Sequence, residues 1–82
     1  MEILEKLKSG KRIVGLNQTL RAVEAGDSKE VFLALDAEIS VRLAVIELCG
    51  QHGATICDAA SMKELGKACG IDVKAAVAAI LL

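Results

Sequence analysis

Apolar positions along this chain fall either at three- and four-residue spacings or in short continuous runs, and the switches between the two mark out its elements. Ile3, Leu4 and Leu7 share one helical face ahead of Gly10, which predicts a helix over about residues 2–9. Ile13-Val14 is a short apolar strand that ends at Gly15. Asn17 has the side chain of an N-cap, and Leu20, Ala22 and Val23 give the next helix an apolar stripe that stops at Gly26. Val31-Phe32-Leu33-Ala34-Leu35 is a continuous apolar run of strand length, bounded by Asp27-Ser28 and Asp36. Asp36 is placed to cap a longer helix through Ile39, Leu43, Ile46 and Leu48 to the Gly50–Gly53 region. Thr55-Ile56-Cys57 is a third strand.

Ser61-Met62-Lys63-Glu64 has the form of a capping box, in which Ser61 bonds the backbone of Glu64 and Glu64 reaches back. The helix it opens buries Met62, Leu65, Ala68 and Cys69 and stops at Gly70. Ala75 to Leu82 is uninterrupted apolar sequence, and the helix before it favours a buried strand. A strand buried on both faces needs helices on both sides of its sheet. Four helices alternating with four strands therefore read as an α/β fold, a three-layer α/β/α sandwich in a single domain over residues 1–82.

Composition narrows the function. Of the 82 residues 54% are apolar, but Phe32 is the only aromatic, which excludes RNA-binding modules that stack bases on aromatic platforms. Cys49, Cys57 and Cys69 are odd in number and lack a C-x-x-C spacing, so neither a disulfide framework nor a thiolate zinc site is expected. Unpaired thiols point to a reducing cytosol. Acids rather than bases open the chain, and the apolar stretch at 75–82 is far shorter than a membrane span, so no membrane association is expected. The formal net charge of −1 hides segregation: residues 6–23 carry five bases and no acid, whereas 24–64 carry eight acids and three bases. Segregated charge can build a basic face on a nearly neutral protein.

Catalytic constellations are mostly absent. His52 is the only histidine and falls at the expected end of the long helix, where an imidazolium suits the local dipole. The cysteines fit small apolar core positions. Gly66-Lys67 lacks the earlier glycine and the following hydroxyl of a phosphate-binding P-loop, since Ser61 and Ala68 stand there. No catalytic residue, metal site, cofactor or small-molecule substrate is expected. An enzyme acting through Cys69 would require that thiol to be reactive.

Two segments stand out. Gly15-Leu16-Asn17-Gln18-Thr19-Leu20-Arg21 is a strand-to-helix turn, and a helix start presents unpaired N–H groups that suit phosphate. Asn17, Gln18 and Arg21 fall three and four residues apart, on one face. Their amide and guanidinium groups can read base edges, Arg by gripping guanine N7 and O6. Leu65-Gly66-Lys67-Ala68-Cys69-Gly70-Ile71-Asp72-Val73-Lys74 ends a helix and places Ile71 and Val73 in a loop, either as core anchors or as an apolar shelf under an unstacked base.

Together, in this order, these segments resemble the ribosomal L7Ae and L30e superfamily of kink-turn RNA-binding proteins, closest to its small bacterial members, over essentially the whole chain. The resemblance implies an α/β/α sandwich with a mixed four-stranded sheet. It also implies that the start of the second helix enters the distorted major groove of a kink-turn at tandem sheared G·A pairs. On this footing Gly15, Leu16, Asn17, Gln18, Thr19 and Arg21 form one part of the RNA-binding site, and Lys67, Ile71, Asp72 and Val73 the other. Asn17, Gln18 and Arg21 would contact guanine edges and phosphates, Ile71-Asp72-Val73 would cover a flipped-out nucleotide, and Lys67 would meet phosphate. Archaeal and eukaryotic members usually carry an acid where Gln18 stands and a lysine where Arg21 stands. The expected partner is RNA: a kink-turn in ribosomal RNA, a riboswitch or another non-coding RNA. The protein is expected to be a cytoplasmic, ribosome-associated monomer. The rival reading is a protein-interaction module that keeps the fold without kink-turn binding.

Overall fold

A computed structural model of the chain describes residues 11–82, so the helix expected over 2–9 lies outside the described residues. The elements run β1 (Arg12–Val14), α1 (Leu16–Glu24), β2 (Ser28–Ala34), α2 (Ile39–His52), β3 (Thr55–Ala59), α3 (Met62–Ala68) and β4 (Val77–Leu81). The four strands form one sheet in the order β1-β4-β2-β3. β4 is antiparallel to both neighbours, and β2 and β3 are parallel, so the sheet is mixed. The α2 crossover supplies the long connection that a parallel pair needs.

The core divides by the period-2 alternation of the two central strands. Val31 and Leu33 of β2 and Val77 and Ala79 of β4 face one side, where Val23 of α1 and Val45 and Cys49 of α2 pack on them. Phe32, Ala34 and Ala78 face the other, against Leu65, Ala68 and Cys69 from α3 and its end. The sheet is thus covered on both faces, which gives the three-layer sandwich. Alanine predominates in the α3 layer, so that helix lies close, and fully buried Phe32 and Leu65 fill the space between.

Three local expectations differ from the structure. Asn17 does not cap α1: the helix begins at Leu16 with Gly15 in the cap position, because the end of β1 turns directly into the helix. Asp36 does not cap α2, which starts at Ile39 after Glu38. Its Oδ1 instead accepts a hydrogen bond of 2.7 Å from the Met62 N–H and so ties the β2–α2 turn to the start of α3. β2 begins at Ser28 rather than Val31. Ser28 is buried, and its hydroxyl donates to the Ile80 carbonyl at 2.7 Å, so a polar residue expected to bound the strand is held inside the sheet beside a register irregularity. The Ser61 half of the capping box forms, with Oγ accepting from the Glu64 N–H at 3.1 Å. The apolar run after Ala75 is a buried strand over Val77–Leu81.

Candidate functional site

The sheet directions bring the two segments to one end of the molecule. β1, β2 and β3 all finish at this end, and β4, antiparallel to β1 and β2, starts there. The helices α1, α2 and α3 follow β1, β2 and β3, so all three open at the same end with the positive ends of their dipoles, although in α3 the Met62 and Glu64 N–H groups are taken by Asp36 and Ser61. The junction is made by backbone. Gly15 N–H donates to the Val77 carbonyl at 3.0 Å, Ala34 N–H to Ala76 at 2.9 Å, and Ala75 N–H to Met62 at 3.0 Å. The loop before β4 is therefore fastened to the start of α1, to the end of β2 and to the start of α3.

Gly15 has φ +113° and ψ +152°, a conformation open to glycine and costly for side chains. A Cβ placed there would meet nothing within 4 Å, so the space over the turn is open. Beyond it Asn17, Gln18 and Arg21 are exposed. None of the three side chains makes a hydrogen bond among the described residues, and the first turn of α1 holds no acid. The first turn thus offers the Asn17 and Gln18 amides with free donors and acceptors, and Arg21 adds a free guanidinium from the last turn of the same helix. Leu16 is half-buried against the α1–α2 core, and Thr19 is fully buried. These two side chains do not join the exposed surface: they hold α1 from within.

The second segment is shaped by two glycines. Gly66 is buried, and a Cβ on it would collide with the Val73 carbonyl, so the 71–74 loop lies directly on α3. At Gly70, φ +75° closes α3: its N–H donates to Lys67 at 3.0 Å and the Ile71 N–H to Gly66 at 3.1 Å, a Schellman arrangement. Lys67, Asp72 and Val73 are exposed, whereas Ile71 is half-buried against the α3 core. Lys67, Ile71, Asp72 and Val73 line a groove of about 480 Å³ together with Lys63 and Lys74. Ile71 and Val73 give the groove apolar side chains, and three lysines against one aspartate give it a net positive charge. Sequence reasoning missed Lys63 and Lys74. Lys63 was readable, being four residues before Lys67 on one helix face, but Lys74 needed the loop's path.

The basic stretch of the sequence is not one face. Lys11 sits at the opposite end of the sheet beside Gly26, Asp27 and Leu82. Arg12 turns inward, its Nε donating at 2.9 Å to the Cys69 carbonyl at the C-terminal end of α3. Of the described bases in that stretch, only Arg21 stands at the site. Burial pushes the Cys49 and Cys69 thiols above their ordinary range, with the Arg12 charge acting in the opposite sense at Cys69. Those two thiols are held protonated in the core and are poorly placed for chemistry. His52 is exposed in the last turn of α2. No described helix is long and apolar enough to cross a membrane.

Comparison with known proteins gives a consistent outcome. The model of the ribosomal protein L7Ae/L30e/S12e/Gadd45 family matches residues 1–81. The chain is 43% identical over 75 residues to an RNA-binding protein of Geobacillus sp. strain WCH70, covering 92% of each. It is 40% identical over 75 residues to the RNA-binding protein YbxF of Geobacillus stearothermophilus, again covering 92% of each. To the large ribosomal subunit protein eL8 of Nitrosopumilus maritimus it is 42% identical over 74 residues, 89% of this chain and 58% of that one. The solved structure of the Giardia lamblia 15.5kD RNA binding protein superposes with a TM-score of 0.92 at 30% identity, over 99% of this chain and 72% of that one.

Proposed function

We propose, from the premise that this chain belongs to the ribosomal protein L7Ae/L30e/S12e/Gadd45 family, that it binds RNA at the sheet end where α1 meets the 71–74 loop. In this reading the RNA is a kink-turn with tandem sheared G·A pairs, and the protein holds it in its bent form without catalysing a reaction. The observation that carries the reading is the hydrogen bond from the Gly15 N–H to the Val77 carbonyl, which ties the start of α1, with its unpartnered Asn17, Gln18 and Arg21 side chains, to the strand that the lysine-rimmed 71–74 loop leads into. Relatives of similar length that are named RNA-binding proteins support it. Similarity to a protein of the large ribosomal subunit supports a cytoplasmic place beside ribosomal RNA.

The roles follow from chemistry. Asn17 and Gln18 offer both donor and acceptor to guanine and adenine edges, and Arg21 can grip a guanine edge with two bonds. The open space over Gly15 lets a phosphate backbone come close to the helix start. Lys63, Lys67 and Lys74 meet phosphates, and Ile71, Asp72 and Val73 cover a nucleotide turned out of the stack. Contacts that the bent form makes and extended RNA does not shift the population toward the bend.

A gel-shift series tests this reading. The protein should retain a kink-turn RNA and release one whose G·A pairs are replaced by Watson–Crick pairs. Arg21→Ala should weaken binding by about 1–3 kcal/mol, and Lys67→Ala should lower the salt slope by about 1 with little change in sequence preference. Equal affinity for the two RNAs, or an Arg21→Ala protein that binds like the parent, would overturn it.

A further inference from the structure

We propose that the outer face of α2 is a self-association surface, through which two copies of this chain pair reversibly with their α2 helices parallel. On α2, Ile39 is 73% exposed, Leu43 59% and Ile46 46%, and Leu35, in the turn before the helix, is 49% exposed. The spacings of four and three place Ile39, Leu43 and Ile46 on one stripe, and Gly50, four residues further on, continues it. Core packing does not use this stripe, because α2 contributes Val45 and Cys49 to the interior from another side.

Gly50 points the same way. It lies inside the helix without a positive φ, and a Cβ on it would meet nothing within 4 Å. Neither backbone nor internal packing calls for glycine there, although glycine costs a helix interior roughly 0.5–1 kcal/mol relative to alanine. What it leaves is room for a neighbouring helix to come close.

Charge selects the occupant and its direction. With Ile39 and Ile46 as d positions and Leu43 and Gly50 as a positions, Arg42 falls at g and Glu47 at e. In a parallel, in-register pair each g position faces the e position five residues further along the partner. Arg42 of each copy then faces Glu47 of the other, twice over by symmetry. An antiparallel pair would put these residues on opposite flanks. Among the described residues neither side chain has an ion-pair partner, and the Arg42 Nε is buried without a hydrogen bond. The exposed face is on the order of 400 Å² per copy, below the roughly 800 Å² per partner of a standard interface, so the pair is a weak one that dissociates on dilution. The monomer expected from the sequence is then the low-concentration species. Because the two-fold axis runs along α2, both copies turn their α1 openings to the same side.

Sedimentation velocity on the full chain without RNA, from about 10 μM to about 1 mM, tests the pairing. The parent should move from monomer to dimer across this range. Ile39→Glu should stay monomeric, and Arg42→Glu or Glu47→Arg alone should weaken association about tenfold. An equimolar mixture of those two single variants should regain the parent's association, because both cross-pairs then have opposite signs, and so should the double variant Arg42→Glu/Glu47→Arg. Far-UV circular dichroism and thermal melting confirm that each variant is folded. A parent that stays monomeric at the highest concentration, or a mixture no better than its components, would overturn the pairing. None of these results depends on RNA binding, which the gel shifts read separately.

Discussion

Gly15 and Gly66 are both required by the structure, for opposite reasons. At Gly15 there is room for a methyl group but the backbone forbids it, with φ at +113°. Gly15→Ala should lower stability by about 1–3 kcal/mol, read as a drop in the urea midpoint, and should weaken RNA binding further by displacing the turn. At Gly66 the backbone is ordinary helix but the Val73 carbonyl occupies the space a Cβ needs. Gly66→Ala should destabilise by about 1–3 kcal/mol and loosen the groove, which increased protease cleavage in the 71–74 loop would report. The thiols give a pH signature. Since folding raises the Cys49 and Cys69 pKa values, their protonated forms favour the native state. That contribution is complete below the unfolded thiol pKa and is lost as pH rises through the thiol range toward the raised folded values. Unfolding midpoints should therefore fall in alkaline buffer, and both thiols should react with iodoacetamide more slowly in the native than in the unfolded protein.

At the scale of elements, what could be read in advance was set by local chemistry, and what could not was set by contacts far apart in sequence. The Ser61 cap and the Gly70 stop each act within a few residues, and both stand where the pattern puts them. Sequence proximity puts Asp36 at the nearest helix start, yet its carboxylate serves Met62, 26 residues away. Arg12 belongs to the basic stretch by sequence, yet it caps the end of α3 at a separation of 57 residues. Thr19 is instructive in another way. It belongs to the segment that carries the family resemblance, but with Leu16, Leu20 and Val23 it completes the three- and four-residue spacing of the buried stripe, so its fully buried position was legible. The exposed Asn17, Gln18 and Arg21 occupy the complementary face of the same helix. The α/β/α layering was accessible from the alternation of elements, whereas the strand order was not, because no local signal says that β4 enters between β1 and β2.

At the scale of the whole molecule, β4 joins the two halves. It pairs with β1 on one side and β2 on the other, and its buried residues enter both core layers. A chain cut after residue 76 should lose cooperative unfolding and bind no RNA, while one lacking only Leu82, which is 79% exposed, should keep cooperative unfolding. Because β4 is synthesised after every other described element, an emerging polypeptide holds β1 and β2 as strands without their shared neighbour. The backbone lock between Gly15 and Val77 closes only when that last strand slides in. Half-made copies still attached to a translating ribosome would thus be unable to capture a transcript, and competence for RNA would arrive at once, on completion of the sheet.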